Sequence, residues 1–259
     1  MKIGFDAKRA FLNSSGLGNY SRNTLNALQK YFSGNEYILF SPKVHDAFFE
    51  NYSGFTTVTP QNLITRKMNS LWRSLFLVPV IKKYQPDIYH GLSNELPAGI
   101  KRSGIPSVVT IHDLIFIRYP ELYKPADRKI YLLKFRYACK VADRIIAVSD
   151  QTKKDIVTFL CIPPEKIEVL SQPVNTAFYE KQNNQEMLKK YNIPQKYILT
   201  VGTIEPRKNQ ISLVKGIYES GLGITLVLVG NTTLYYNELK SYIDSKSLND
   251  KIIFLQNLP

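Results

Sequence analysis

The chain has little cysteine, histidine or tryptophan: its 259 residues include only Cys139, Cys161, three histidines and one tryptophan. Two cysteines supply neither a disulfide framework nor a zinc site, and a reducing, cytoplasmic setting is expected. No apolar run reaches the roughly 18 residues of a spanning helix. The opening MKIGFDAKRA lacks the apolar core of a secretory leader. Acid is scarce too, with 21 Asp+Glu against 34 Lys+Arg and a net charge of +13. The excess follows the whole chain: residues 1–180 hold 24 bases and 15 acids, and the remainder 10 and 6. That distribution excludes a basic tail and favours anionic partners: nucleic acid, acidic lipid or phosphorylated substrates.

What remains suits one large domain or two ordinary ones, with 44% hydrophobic residues to build a core. Strand-length apolar runs alternate with helical patterns. KIGFDA, EYILFSP, PDIYHGL, PSVVTIHDL, DRIIAVSD and KIEVLSQPV read as strands. Between them, a Gly-containing loop leads into a helix over SSGLGNYSRNTLNALQKYF, capped by Ser21 or Asn19. MNSLWRSLFLVPVIKKY reads as a helix bent or ended at Pro79, and PADRKIYLLKFRYACKVA as a long one. This alternation predicts a doubly wound parallel α/β sheet. NTAFYEKQNNQEMLKKYNIPQ reads as a polar connector, after which YILTVG, ITLVLVG and KIIFLQNL repeat the rhythm with two helices.

In open α/β sheets ligands bind beyond the carboxyl ends of strands. Four such loops carry suggestive residues. Gly16 and Gly18 allow close backbone approach before a helix start, although two glycines in a turn are common. Ser93, Asn94 and Glu95 follow one strand. His112 and Asp113 follow another, where the imidazole either bonds a substrate hydroxyl or is satisfied by backbone. After Gly202, Arg207 and Lys208 open a helix. Cations there oppose the helix dipole at a cost of about a few tenths of a kcal/mol. A bound diphosphate offsets that cost through charge-assisted bonds; a solvated pair is the alternative. Arg66, Lys67, Arg73, Lys82 and Lys83 interleave with Leu71, Trp72, Leu75, Phe76 and Leu77. The stripe reads as a core-packed helix with a solvated basic face, or as a helix resting on anionic lipid.

Taken together, FDAKRAFLNSSGLGNYSRNTL, DIYHGLSNELP, VVTIHDLIFIRYPELY, RIIAVSDQTKKDI and VGTIEPRKNQISLVKGI resemble the family 4 glycosyltransferases, retaining enzymes of the GT-B fold. Within that family the chain resembles the mannosyltransferase-like branch of bacterial surface polysaccharide and lipopolysaccharide assembly. The resemblance implies a Rossmann-like acceptor-side domain over 1–175, a linker over 176–196, and the first half of a nucleotide-sugar domain over 197–259. It implies transfer of a hexosyl group, mannosyl in this branch, from a GDP- or UDP-linked sugar to a saccharide or lipid-linked saccharide, at the inner face of the plasma membrane. His112 would contact the donor sugar as the catalytic residue. Gly16, Gly18, Gly202, Arg207 and Lys208 would hold the donor diphosphate without a metal. Asn19, Tyr20, Ser93, Asn94, Glu95 and Asp113 would face the acceptor. Nucleic acid is not an expected partner, because the aromatics follow a buried pattern and form no stacking platform.

Two features depart from the family. Thr203 stands where many members have an arginine directly after the glycine. No two glutamates have the Glu-x7-Glu spacing of the family's donor-site loop; Asp87/Glu95 and Asp113/Glu121 have that separation but lie in the first domain. The expectation is therefore a C-terminally truncated chain whose second sheet leaves an unpaired edge. The alternative function that follows is a catalytically deficient fragment or binding remnant.

Overall fold

The computed structural model describes residues 1–45, 48–49, 52–61, 72–172, 178–180, 184–256 and 258. The chain divides into two units, Met1–Thr176 and Ala177–Pro259.

The first unit is built on seven parallel strands in the order β3-β2-β1-β4-β5-β6-β7. These are β1 (Lys2–Asp6), β2 (Glu36–Phe40), β3 (Thr56–Val58), β4 (Ile88–Gly91), β5 (Ser107–Ile111), β6 (Arg144–Ala147) and β7 (Ile167–Val169). Alternate residues of β2 enter different cores. Tyr37 and Leu39 pack with Phe5, Phe11 and Leu25; Ile38 and Phe40 pack with Leu77, Ile81 and Tyr89. Both faces of the sheet are thus buried, as a parallel sheet requires. The strand order reverses between β1 and β4, which makes their carboxyl ends the topological switch point.

Helices α1 (Lys8–Leu12) and α2 (Gly16–Tyr31) follow β1; α3 (Leu77–Tyr84) precedes β4; α4 (Ile115–Arg118) and α5 (Pro125–Val141) follow β5; α6 (Asp150–Leu160) follows β6. Ser149 caps α6 by accepting from the Thr152 N–H at 3.1 Å, a role that serine favours. Neither α1 nor β3 is legible in the sequence: one is five residues long, the other three.

The helix read over MNSLWRSLFLVPVIKKY differs from expectation. Residues 68–71 lie outside the described residues. From Trp72 to Phe76 the chain forms a π-helical turn that continues into α3, so Pro79 sits inside the helix and does not end it. Proline has no N–H to give, and the carbonyl of Ser74, five residues back, accepts from the Ala98 N–H at 2.7 Å. The basic-face reading also fails at Arg73, which is buried, while Lys82 and Lys83 are exposed; Arg66, Lys67 and Leu71 lie outside the described residues.

The second unit holds three parallel strands in the order β10-β9-β8: β8 (Tyr197–Val201), β9 (Thr225–Val229) and β10 (Ile252–Leu255). The order repeats β3-β2-β1 of the first unit. A short helix, α7 (Gln185–Lys190), stands where the sequence suggested only a connector, and buries Leu188. Helices α8 (Gln210–Ser220) and α9 (Tyr235–Ser245) share one core with Leu226, Leu228 and Ile252. Among the described residues β8 pairs only with β9, and Leu199 and Val201 are exposed.

Candidate active site

Beside the switch point of the first unit, His112 follows β5 and is held by bonds to its ring and its backbone. Its Nε2–H donates to the Leu92 carbonyl at 2.9 Å, and Gln172 Nε2 donates to its Nδ1 at 2.9 Å. The backbone N–H of His112 donates to Asn94 Oδ1 at 2.8 Å, and its carbonyl accepts from Thr152 Oγ1 at 3.0 Å. The Tyr20 ring meets the imidazole edge-on with centroids 4.7 Å apart. These bonds select the neutral Nε2–H tautomer. Burial lowers the His112 pKa; the Leu92 carbonyl and Asp113 oppose the shift, and Arg9 adds to it.

A second histidine supports the first. His90 Nε2 and the Tyr20 hydroxyl share hydrogen bonds with Thr110 Oγ1 at 2.8 and 3.0 Å. Burial, then the neighbouring His112, pushes the His90 imidazole down to about 4. Tyr20, expected to face the acceptor, thus has its hydroxyl committed to Thr110 beneath His112.

Beside this pair lies an ion cluster that the sequence does not announce. Arg73, 6% exposed, donates through Nε to Asp6, through one terminal nitrogen to Glu95 Oε2 at 2.9 Å, and through the other to Ser93 Oγ at 3.4 Å. Lys134 Nζ also reaches Glu95 Oε2, at 3.2 Å. Burial works to raise the Glu95 carboxyl pKa, but Arg73 and Lys134 overcome it and hold the group below its usual value. Burial likewise opposes the Arg73 charge, and Asp6 with Glu95 outweighs it. The Tyr89 hydroxyl is buried next to this cluster without a partner among the described residues, and burial followed by the Asp6 charge raises its pKa. Ser93 and Glu95 are therefore engaged by Arg73.

Two further cations stand on α1. Burial, then Arg73 and Arg9, lowers the Lys8 ammonium pKa, and Arg9 Nε is buried with no partner among the described residues. Charge at the carboxyl end of β1 is in excess. Lys8 and Arg9 make no ion pair among the described residues, while Asp6 and Glu95 are already taken.

The Gly16–Gly18 stretch is not a loop: α2 begins at Gly16, with Ser15 as its cap residue in an extended conformation. Asn13 organises this start, its Oδ1 accepting from the Ser15 and Gly18 N–H groups at 2.9 and 3.1 Å. A Cβ on Gly18 would lie 1.8 Å from the Asn13 carbonyl oxygen, so only glycine fits there, whereas Gly16 borders open space. Asn19 accepts from Arg22 at 2.6 Å, and Asp113 Oδ1 accepts from the Ile115 N–H at 3.1 Å at the start of α4.

In the second unit Gly202 ends β8 at φ +146°, a conformation that favours glycine. Arg207 and Lys208 sit on a 3-10 turn, Pro206–Lys208, one residue ahead of α8. The Lys208 Cε would lie 3.7 Å from a Cβ on Gly202, so its aliphatic stem passes over that glycine. Arg207 donates to Glu205, a carboxylate two residues before it in the chain.

Two parallel Rossmann-like units, with glycines and cations at the carboxyl ends of their strands, define the GT-B class of α/β protein. The Anabaena protein HepE in complex with UDP-glucose has this architecture: it superposes with a TM-score of 0.69 at 15% identity, covering 100% of this chain and 70% of that one. The family model of Glycosyltransferase Family 4 matches residues 14–178, and the chain belongs to that family. Among curated relatives, O-antigen chain mannosyltransferase B of Escherichia coli is 31% identical over 133 residues, 50% of this chain and 34% of that protein. The serotype-specific mannosyltransferase WbdA of Escherichia coli is 29% identical over 134 residues, 49% of this chain and 16% of that protein. The alignments thus span about a third and about a sixth of these relatives.

Asp6, Lys8, Arg9, Arg73 and Gln172 were missed as site residues. Asp6 had one signal, an acid directly after the apolar run IGF of β1.

Proposed function

We propose that the chain serves in glycosyl transfer with retention, moving a hexosyl group, mannosyl by analogy with its relatives, from a GDP- or UDP-linked sugar to a saccharide or lipid-linked saccharide. The observation that carries this reading is the family match over residues 14–178, together with mannosyltransferase relatives. Arg207 and Lys208 neutralise the charge that develops on the leaving diphosphate, work that needs no metal ion. Binding draws Arg207 away from Glu205. His112, held neutral, presents its ring to the donor sugar once Gln172 yields Nδ1. Lys8 and Arg9 supply positive potential at the carboxyl end of β1, and the acceptor approaches over Asn94 and Asp113 at the cytoplasmic face of a membrane.

Titration calorimetry with GDP and UDP, followed by transfer assays with GDP-mannose and UDP-glucose, tests the reading. Arg207→Gln and Lys208→Gln are each expected to weaken nucleotide diphosphate binding about tenfold or more, the worth of one charge-assisted contact. Chelators are expected to change nothing. Unaltered affinity in both variants overturns the assignment. The alternative reading is that these 259 residues by themselves bind acceptor and diphosphate without turnover. Nucleotide binding with no transfer to any saccharide acceptor selects that second reading.

A further inference from the structure

The surface of α5 does not match its place in a water-soluble core. Leu133 is 70% exposed, and Ile130 on the same helix is about half exposed. At about 100° per residue, Ile130, Leu133 and Tyr137 fall on one side of the helix, and Lys129, Arg136 and Lys140 flank Leu133 on the other. These three bases are exposed and make no ion pair among the described residues. Along its whole length α5 carries Arg128, Lys129, Lys134, Arg136 and Lys140 against the single acid Asp127.

The apolar side continues onto a second element. Leu133 and Tyr137 share a groove of about 200 Å³ with Leu75, Leu96 and Ala98. Leu75 and its neighbour Phe76 are each about half exposed on the π-helical turn. Tyr137 ties the groove floor together, accepting from the Gly99 N–H at 2.8 Å and donating to the Pro97 carbonyl at 3.2 Å. Arg102, exposed on the turn that follows, adds positive charge, while Lys101 beside it is paired with Asp143 at 2.8 Å. The groove also touches Glu95 and Lys134, so this surface adjoins the ion cluster of the candidate site.

We propose that this face, with Leu75, Phe76, Ile130 and Leu133 as its apolar part and Lys129, Arg136 and Lys140 as its basic part, docks the first unit on an anionic phospholipid bilayer. Large apolar side chains projecting from a rigid fold, bordered by unpaired bases, match the interface of such a bilayer. Acyl chains take the leucines while headgroup phosphates take the lysines. The charge complementarity decides for lipid over a second copy of the chain, because the same bases would repel one another across a twofold contact. The stripe singled out in the sequence is thereby relocated: Trp72 and Arg73 turn inward, and the lipid-facing residues come from the end of that segment and from α5. The inference deepens the membrane element of the proposed function, but it concerns lipid binding alone and stands or falls without any transfer assay.

Sedimentation of the full chain with phosphatidylglycerol and phosphatidylcholine vesicles tests it, with circular dichroism to confirm that each variant is folded. The chain is expected to bind the anionic vesicles, to ignore the zwitterionic ones, and to release as salt rises. Reversing Lys129→Glu, Arg136→Glu and Lys140→Glu together is expected to weaken binding about a hundredfold or more. Ile130→Gln with Leu133→Gln is expected to weaken it about tenfold. Reversing Lys196→Glu, Lys246→Glu and Lys251→Glu, the same change in net charge on the second unit, is expected to leave binding in place. The proposal is overturned by any of three results: no binding to anionic vesicles, equal loss in the two charge-reversed sets, or a soluble dimer that the Ile130/Leu133 variant dissolves.

Discussion

The two units start from the same strand order and end in different states. In the first, β2 sends alternate residues into two cores and the sheet is covered on both faces. In the second, α8 and α9 lie in one core with Leu226 and Leu228, and Val201 on β8 is 70% exposed. Their ion pairs differ in the same sense. Arg73 is enclosed by Asp6, Glu95 and Ser93, whereas Arg207 meets Glu205 on a partly exposed turn. A charge that is buried and paired belongs to the architecture of its unit. A charge paired at the surface can exchange its carboxylate for a ligand at small cost.

The sharpest way to break that comparison is to remove the arginines in turn. Arg73→Met leaves Asp6 and Glu95 without their main counter-charge and is expected to destabilise the first unit by about 3–5 kcal/mol. Trp72, the only tryptophan, reports that unit alone, so its fluorescence in a urea titration reads the effect. Arg207→Gln should change stability by less than about 1 kcal/mol. Comparable losses in the two variants would erase the distinction.

Acid provides the next largest contrast, because all three histidines lie in the first unit. The folded His90 pKa of about 4 lies below its ordinary value, so the unfolded chain binds more protons between the two. The stabilisation is complete above about pH 6.5 and is lost as pH falls toward 4, amounting to at most about 3 kcal/mol. His112 shifts in the same direction and adds to the slope. Urea midpoints followed by Trp72 fluorescence at pH 7 and pH 5 should show the loss, and His90→Phe should flatten it. A pH-independent midpoint in the native chain would remove the buried neutral histidine from the account.

The smallest effect is expected at β8. Leu199→Thr and Val201→Thr should each move the stability of the second unit by no more than about 0.5 kcal/mol, since little burial is lost. The same changes should reduce concentration-dependent self-association in light scattering, because exposed apolar side chains on a strand invite association. A stability loss well beyond that range would show that this face is covered in solution.

Much of the fold was legible because strand-length apolar runs and helical periodicity are local signals. β1, β2 and β4 to β10 all lie where such runs stand, and the Ser149 cap follows from one residue type at one place. The start of α2 was not legible. SSGLGN has the composition of a loop, and the helix begins at Gly16 because Asn13, outside the pattern, accepts from the Gly18 N–H. The candidate site was legible in part. His112 and the glycines stood at strand ends, but the role of Arg73 depends on a contact 67 residues away, and that of Gln172 on one 60 residues away.

The order of apolar and polar residues by itself determined two parallel sheets, their succession along the chain and the ends of the strands where ligands bind. Only the tertiary structure decided which charges are enclosed and which are available. Burial depends on neighbours brought together from distant segments, and a basic residue in a sequence carries no mark of whether a carboxylate or water will face it. Arg73 turned inward and Leu133 outward for that reason.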